Sequence, residues 1–156
     1  MNLAEWFKRV AIPWFTSLGL TRRTVTLEVL GRTSGKPRQV SLSRTDYDSQ
    51  QFFVSLAGES AWVRNVRAAG GQAIILSRGR HPVRLEEVSR EKRAPIMLAY
   101  VQKRAFTHSG AQASRHFFGL GPNPTLAEMQ ALADKYIVMH ILPDPEAAEA
   151  GCSPIR

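Results

Sequence analysis

Thr24-Val-Thr-Leu-Glu-Val-Leu-Gly31-Arg-Thr-Ser-Gly-Lys-Pro-Arg38-Gln-Val-Ser-Leu-Ser-Arg-Thr45 reads as two strands joined by a turn crowded with cations. Before the turn Val25, Leu27 and Val29 alternate with polar residues, and after it Val40 and Leu42 do the same, the period of two expected of half-buried strands. Gly31 and Gly35 permit positive φ, and Pro37 fixes the exit from the turn. Arg32, Lys36 and Arg38 project three cations around backbone amides that no ladder has claimed, which suits phosphate or another anion. A plain solvated basic turn has the same composition. A P-loop is excluded, because three residues rather than four separate the glycines and Pro37 stands where a magnesium-binding Ser or Thr belongs.

Outward from this hairpin, strand and turn keep alternating without helical crossovers. Tyr47-Asp-Ser-Gln is turn chemistry, and residues 51–57 form an aromatic-rich strand. Ser60 caps a short helix to residue 69 that buries Trp62, Val63 and Val66, turns Arg64 and Arg67 outward and ends at Gly70-Gly71. Residues 72–77 and 82–88 make a second hairpin across Arg78-Gly-Arg, with Val83, Leu85 and the Glu87 position facing inward. A helical stretch begins at Ser89 and carries Ile96, Leu98, Tyr100 and Val101. Thr125 opens another helix with Glu128 as its capping-box partner, and the last strand spans 136–142.

The expected fold is α+β and mainly antiparallel: a single domain over 1–143, with a helical insertion at 91–133 and a tail at 144–156 that lacks core residues. At the start, Leu3, Trp6, Phe7, Val10, Ala11, Trp14 and Leu18 recur at helical spacing opposite Glu5, Lys8 and Arg9, with a bend or restart at Pro13. This amphipathic helix, 1–18, is expected to pack on the protein's own sheet; the alternative is peripheral contact with a membrane surface.

The net charge of +8 is uneven, with eleven Lys or Arg against four Asp or Glu between Arg22 and Arg84, so an acidic ligand or surface is implied. Nucleic acid is not expected, since Phe52, Phe53 and Trp62 sit in apolar contexts rather than among the cations. His81, His108, His116 and His140 include no i, i+4 pair and no cysteine or carboxylate at a ligand interval, so no metal is expected. The nucleophile elbow and the dinucleotide-binding glycine motif are absent. The one cysteine, Cys152, permits no intramolecular disulfide. No apolar run approaches the roughly 20 residues of a membrane span, and the start lacks a signal-peptide pattern. A cytoplasmic protein, with membrane association through 1–18 left open, is the expectation.

The stretch from Leu27 to Val40 resembles the signature of the deazaflavin-dependent nitroreductase family, whose members use coenzyme F420. Gly58-Glu-Ser-Ala-Trp-Val-Arg-Asn-Val-Arg-Ala-Ala-Gly-Gly is similar to that family's Trp-x-x-Asn helix, and Lys135-Tyr-Ile-Val-Met-His-Ile-Leu to its closing strand. The resemblance implies a split β-barrel of about six strands with peripheral helices. It further implies hydride transfer from reduced F420 to a small electron-poor acceptor such as a quinone, enone or nitro compound, in a monomer or homodimer. By matching position it places Arg32, Thr33, Ser34, Gly35, Lys36 and Arg38 at the anionic tail, and the backbone of Val40, Ser41 and Leu42 at the ring edge. Ser55, Trp62 and Asn65 would shape the remainder of the site, although a core role accounts for Trp62 at least as well and a local cap or turn bond is a weaker alternative for Asn65. Tyr100, Ser43 and Ser55 are the candidates for proton delivery. Thr33, Ser43 and Gly58 replace a lysine, a tyrosine and a lysine of some members, departures that bear on nitroreduction more than on cofactor binding. FMN in the same barrel, or a non-catalytic deazaflavin- or lipid-binding protein, are the alternatives.

Overall fold

Alternating burial builds the sheet strand by strand in the computed structural model, which describes residues 24–55, 58–104, 119, 124–144 and 146. In chain order these form β1 (Thr24–Leu30), β2 (Pro37–Tyr47), β3 (Gln50–Ser55), α1 (Ala61–Ala68), β4 (Gln72–Leu76), β5 (Arg80–Glu87), α2 (Arg90–Arg104), α3 (Leu126–Leu132) and β6 (Ile137–Pro143). The strands close as an antiparallel barrel in the order β1-β2-β3-β6-β5-β4. The expected helix at 1–18, the centre of the insertion from 105 and nearly all of the tail lie outside the described residues. Among the described residues no helix is long and apolar enough to cross a membrane.

The chain divides into two compact units. The first comprises 1–43, 64–86 and 141–156. Here β1 pairs with β2 from Thr24↔Ser43 to Leu30↔Pro37 and, on its other edge, with β4 from Thr26↔Leu76 to Glu28↔Ile74. Val25, Leu27 and Val29 are buried as their spacing requires, together with Ala73, Ile75, Val83 and Leu85. Pro37 is not merely the exit of the turn but the first paired residue of β2, a strand-start position where its missing N–H costs no ladder bond. Gly71 has φ +87, and a Cβ there would meet the Leu85 carbonyl oxygen at 2.6 Å, so glycine alone fits the helix-to-strand junction.

The second unit comprises 44–63 and 87–140. β2 and β3 pair from Arg44↔Phe53 to Tyr47↔Gln50 across Asp48 and Ser49, both at positive φ, a two-residue hairpin turn of the primed type. β3 pairs with β6 from Phe52↔His140 to Ser55↔Ile137. α2 and α3 supply Met97, Tyr100 and Met129 to a core that also holds Phe52, Val54 and Val138. The Thr125 hydroxyl accepts from the Glu128 N–H while the Glu128 carboxylate accepts from the Thr125 N–H, the capping box the sequence called for. The Glu87 position, expected to face inward, is exposed, because its carboxylate turns to Arg93 at 3.3 Å. Arg93 is buried and donates to the carbonyls of Val88, Ala133 and Tyr136, tying three loop ends to α2.

Candidate functional site

The β1–β2 hairpin is closed by its own backbone. The Gly31 N–H donates to the Lys36 carbonyl and the Gly35 N–H to the Gly31 carbonyl, each at 2.9 Å, and Gly35 sits at φ +65, a conformation that L side chains rarely adopt. The Lys36 N–H donates to the Ser34 hydroxyl at 3.2 Å. Arg32, Thr33, Ser34, Gly35, Lys36 and Arg38 are all exposed. Among the described residues neither the Lys36 ammonium nor the Arg38 guanidinium has a hydrogen-bond or ion-pair partner.

Arg32 is different. Its backbone N–H and its Nη1 both donate to Oδ1 of Asn65, at 3.2 and 2.9 Å. Asn65 is only 7% exposed, and it lies on α1, beyond the N-terminal turn. The structure therefore brings together two residues that the sequence placed in one site, but as partners of each other.

Next along the strand, Val40 and Leu42 are half-buried, Ser41 is exposed and Ser43 is half-buried. Glu28, which the sequence reading did not single out, lies opposite Gln39 and is buried although it alternates with the inward residues. Arg80 covers it at 2.5 Å and Gln39 donates to its second oxygen at 3.1 Å. These bonds, the one from Arg80 foremost, hold the Glu28 carboxyl below its ordinary range. The acidic side chain of β1 is thus already satisfied within the sheet and is not the partner of Lys36 or Arg38.

A cavity of about 400 Å³ in the same unit is lined by Glu28, Leu30, Pro37, Ile74, Pro82 and Glu146 among others. No Lys or Arg lines it, so it does not suit an anion.

In the second unit Ser55 is 2% exposed, its hydroxyl donating to the Gly58 carbonyl at 2.7 Å and lying 3.1 Å from the Ser60 hydroxyl. Trp62 is buried with its ring edge-on to Phe53, centroids 6.3 Å apart. Tyr100 belongs to the helical core. Of the three hydroxyls considered for proton delivery, Ser43 is the most accessible. No group of three or more His, Cys, Asp or Glu suited to a metal occurs among the described residues. His140, weighed in the sequence only as a metal ligand, is pushed down to about 4 by burial.

Comparison with known proteins supplies what the geometry does not. The chain is similar to a solved F420-H2 dependent reductase, FDR-A, at 20% identity, covering 78% of this chain and 94% of that one with a TM-score of 0.47. It is similar to Atu2129 of Agrobacterium tumefaciens, of unknown function, at 15% identity and TM-score 0.51, covering 85% of this chain and 52% of that one. Rv2991 of Mycobacterium tuberculosis, a conserved hypothetical protein, matches at 14% identity and TM-score 0.51 over 100% of this chain and 91% of that one. The last two speak to the fold alone, and the likeness to FDR-A carries no argument of its own. No functionally curated protein matches the chain. The model of the F420H(2)-dependent quinone reductase family matches residues 16–115, which takes in the basic hairpin and α1. Since that match spans more than half of its length, the chain belongs to the F420H(2)-dependent quinone reductase family and is an oxidoreductase that uses coenzyme F420.

Proposed function

We propose that the β1–β2 hairpin holds the anionic tail of F420 and that the electrons pass to a quinone or a similarly electron-poor small molecule. The observation that carries this reading is the pair of exposed cations, Lys36 and Arg38, without partners among the described residues, on a loop whose backbone is already fixed. F420 carries a phosphate and an oligoglutamate chain, so the donor set fits the group. Lys36 and Arg38 neutralise the tail. The backbone of Val40, Ser41 and Leu42 borders the ring, and Ser43, half-buried beside them on β2, is the accessible hydroxyl for delivering a proton to the reduced acceptor. When bound and reduced, F420 supplies hydride, and the protein's part is to hold donor and acceptor together and keep water away. Ser55, Trp62 and Tyr100, with hydroxyl or ring engaged in the core of their own unit, serve to support the scaffold.

The test is an anaerobic mixture of reduced F420, a water-soluble quinone and the protein, followed by the returning absorbance of oxidised deazaflavin. We expect reoxidation that depends on the protein and saturates with F420. Equal turnover with reduced FMN, or none with F420, contradicts the proposal.

A further inference from the structure

We propose that Asn65 is a positioning residue for the cofactor tail, acting through Arg32 rather than by touching the ligand. The inference rests on the reading of the hairpin given above. Asn65 shares α1 with Val63 and Val66, both essentially fully buried, and at 7% exposure its amide needs partners to be tolerated there. Its Oδ1 receives two donors, the backbone N–H and Nη1 of Arg32, which fill both lone pairs of one oxygen. Anchoring the backbone N–H matters most, because it fixes the residue that follows Gly31. From that point the Gly31–Lys36 and Gly31–Gly35 bonds fix the loop up to the base of Lys36.

Two consequences follow for the ligand. The loop is ordered before the tail arrives, so binding does not have to meet the cost of ordering it. Arg32 is drawn back onto the helix, leaving contact with the tail to Lys36 and Arg38. Losing about 1.4 kcal/mol of such preorganisation is a tenfold loss of affinity.

The experiment compares dissociation constants for F420 and for a deazaflavin lacking phosphate and oligoglutamate. Asn65→Ala should weaken F420 about tenfold and leave the affinity for the shortened compound unchanged. Asn65→Asp, which keeps an acceptor for both donors, should restore most of the affinity. Combining Arg32→Ala with Asn65→Ala should cost no more than Asn65→Ala alone. Additive losses would show that Arg32 meets the ligand itself, and equal weakening of both compounds would show that Asn65 acts on the ring or the fold. Either result overturns the inference. So does parental F420 affinity in Asn65→Ala while Lys36→Ala binds poorly, with the hairpin reading intact; parental affinity in both removes that reading as well. Should Asn65→Ala not fold, amide exchange in the parent decides: the bonded amides of Gly31, Arg32 and Gly35 should be protected before F420 is added, and protection of these that arises only on binding overturns the proposal.

Discussion

His140 lies flat against Phe52, ring centroids 4.8 Å apart and planes inclined by 24°, on directly paired positions of β6 and β3. Burial lowers the imidazole to about 4, against an ordinary value near 6.5. The folded state therefore keeps this ring neutral where the unfolded chain would bind a proton. Above pH 6.5 the group adds no pH dependence, between 6.5 and 4 stability falls as pH falls, and below 4 the loss is complete. We expect melting temperature to decline across that window and the decline to be shallower in His140→Phe. An unchanged slope in the variant would assign the effect to other groups.

Glu28 titrates in a separate window. Its carboxyl is held low by Arg80 and Gln39, so its contribution is present above the ordinary carboxylate value and disappears as pH falls below it. Glu28→Gln should lower stability at neutral pH and flatten the acid limb below about pH 4.5 while leaving the higher window as in the parent. Denaturation midpoints at pH 7 and pH 3.5 decide this, and an equal loss at both contradicts it.

Arg93→Met should be the most damaging of the substitutions considered outside the hairpin. It removes the donors that reach the carbonyls of Val88, Ala133 and Tyr136 and leaves them buried. We expect a loss of about 3 kcal/mol in denaturant unfolding, the order of one or more orphaned buried acceptors. A loss below about 1 kcal/mol would mean that water takes the place of the guanidinium.

What was legible in the sequence was whatever a local period or a short motif encodes. Val25, Leu27 and Val29 gave the inward face of β1 by alternation, and Thr125 with Glu128 gave a helix start because both halves of the capping box lie three residues apart. The polar contacts that organise the units were not legible, since their partners are remote. Arg80 meets Glu28 across 52 positions, and Arg93 meets Tyr136 across 43. Nothing in Ser89-Arg-Glu-Lys-Arg distinguishes the buried arginine from its solvated neighbour Arg90. The hairpin shows both cases. Its cations were evident from composition, but that Arg32 is taken up by Asn65, 33 positions on, and Lys36 and Arg38 are not, required the fold.

The central claim is that two particular cations hold the tail of F420, and equilibrium titration of F420 into the parent, Lys36→Ala and Arg38→Ala at low and high salt measures it most directly. Each substitution removes a charge-assisted contact worth roughly 1.5 to 3 kcal/mol when shielded and less when water screens it, so about a tenfold weaker affinity is expected for each at low salt. High salt should weaken the parent more than either variant, and thermal stability should barely change, because like charges on an exposed turn gain nothing in folding. Parental affinity in both variants, insensitive to salt, would contradict the account and leave the hairpin a solvated turn.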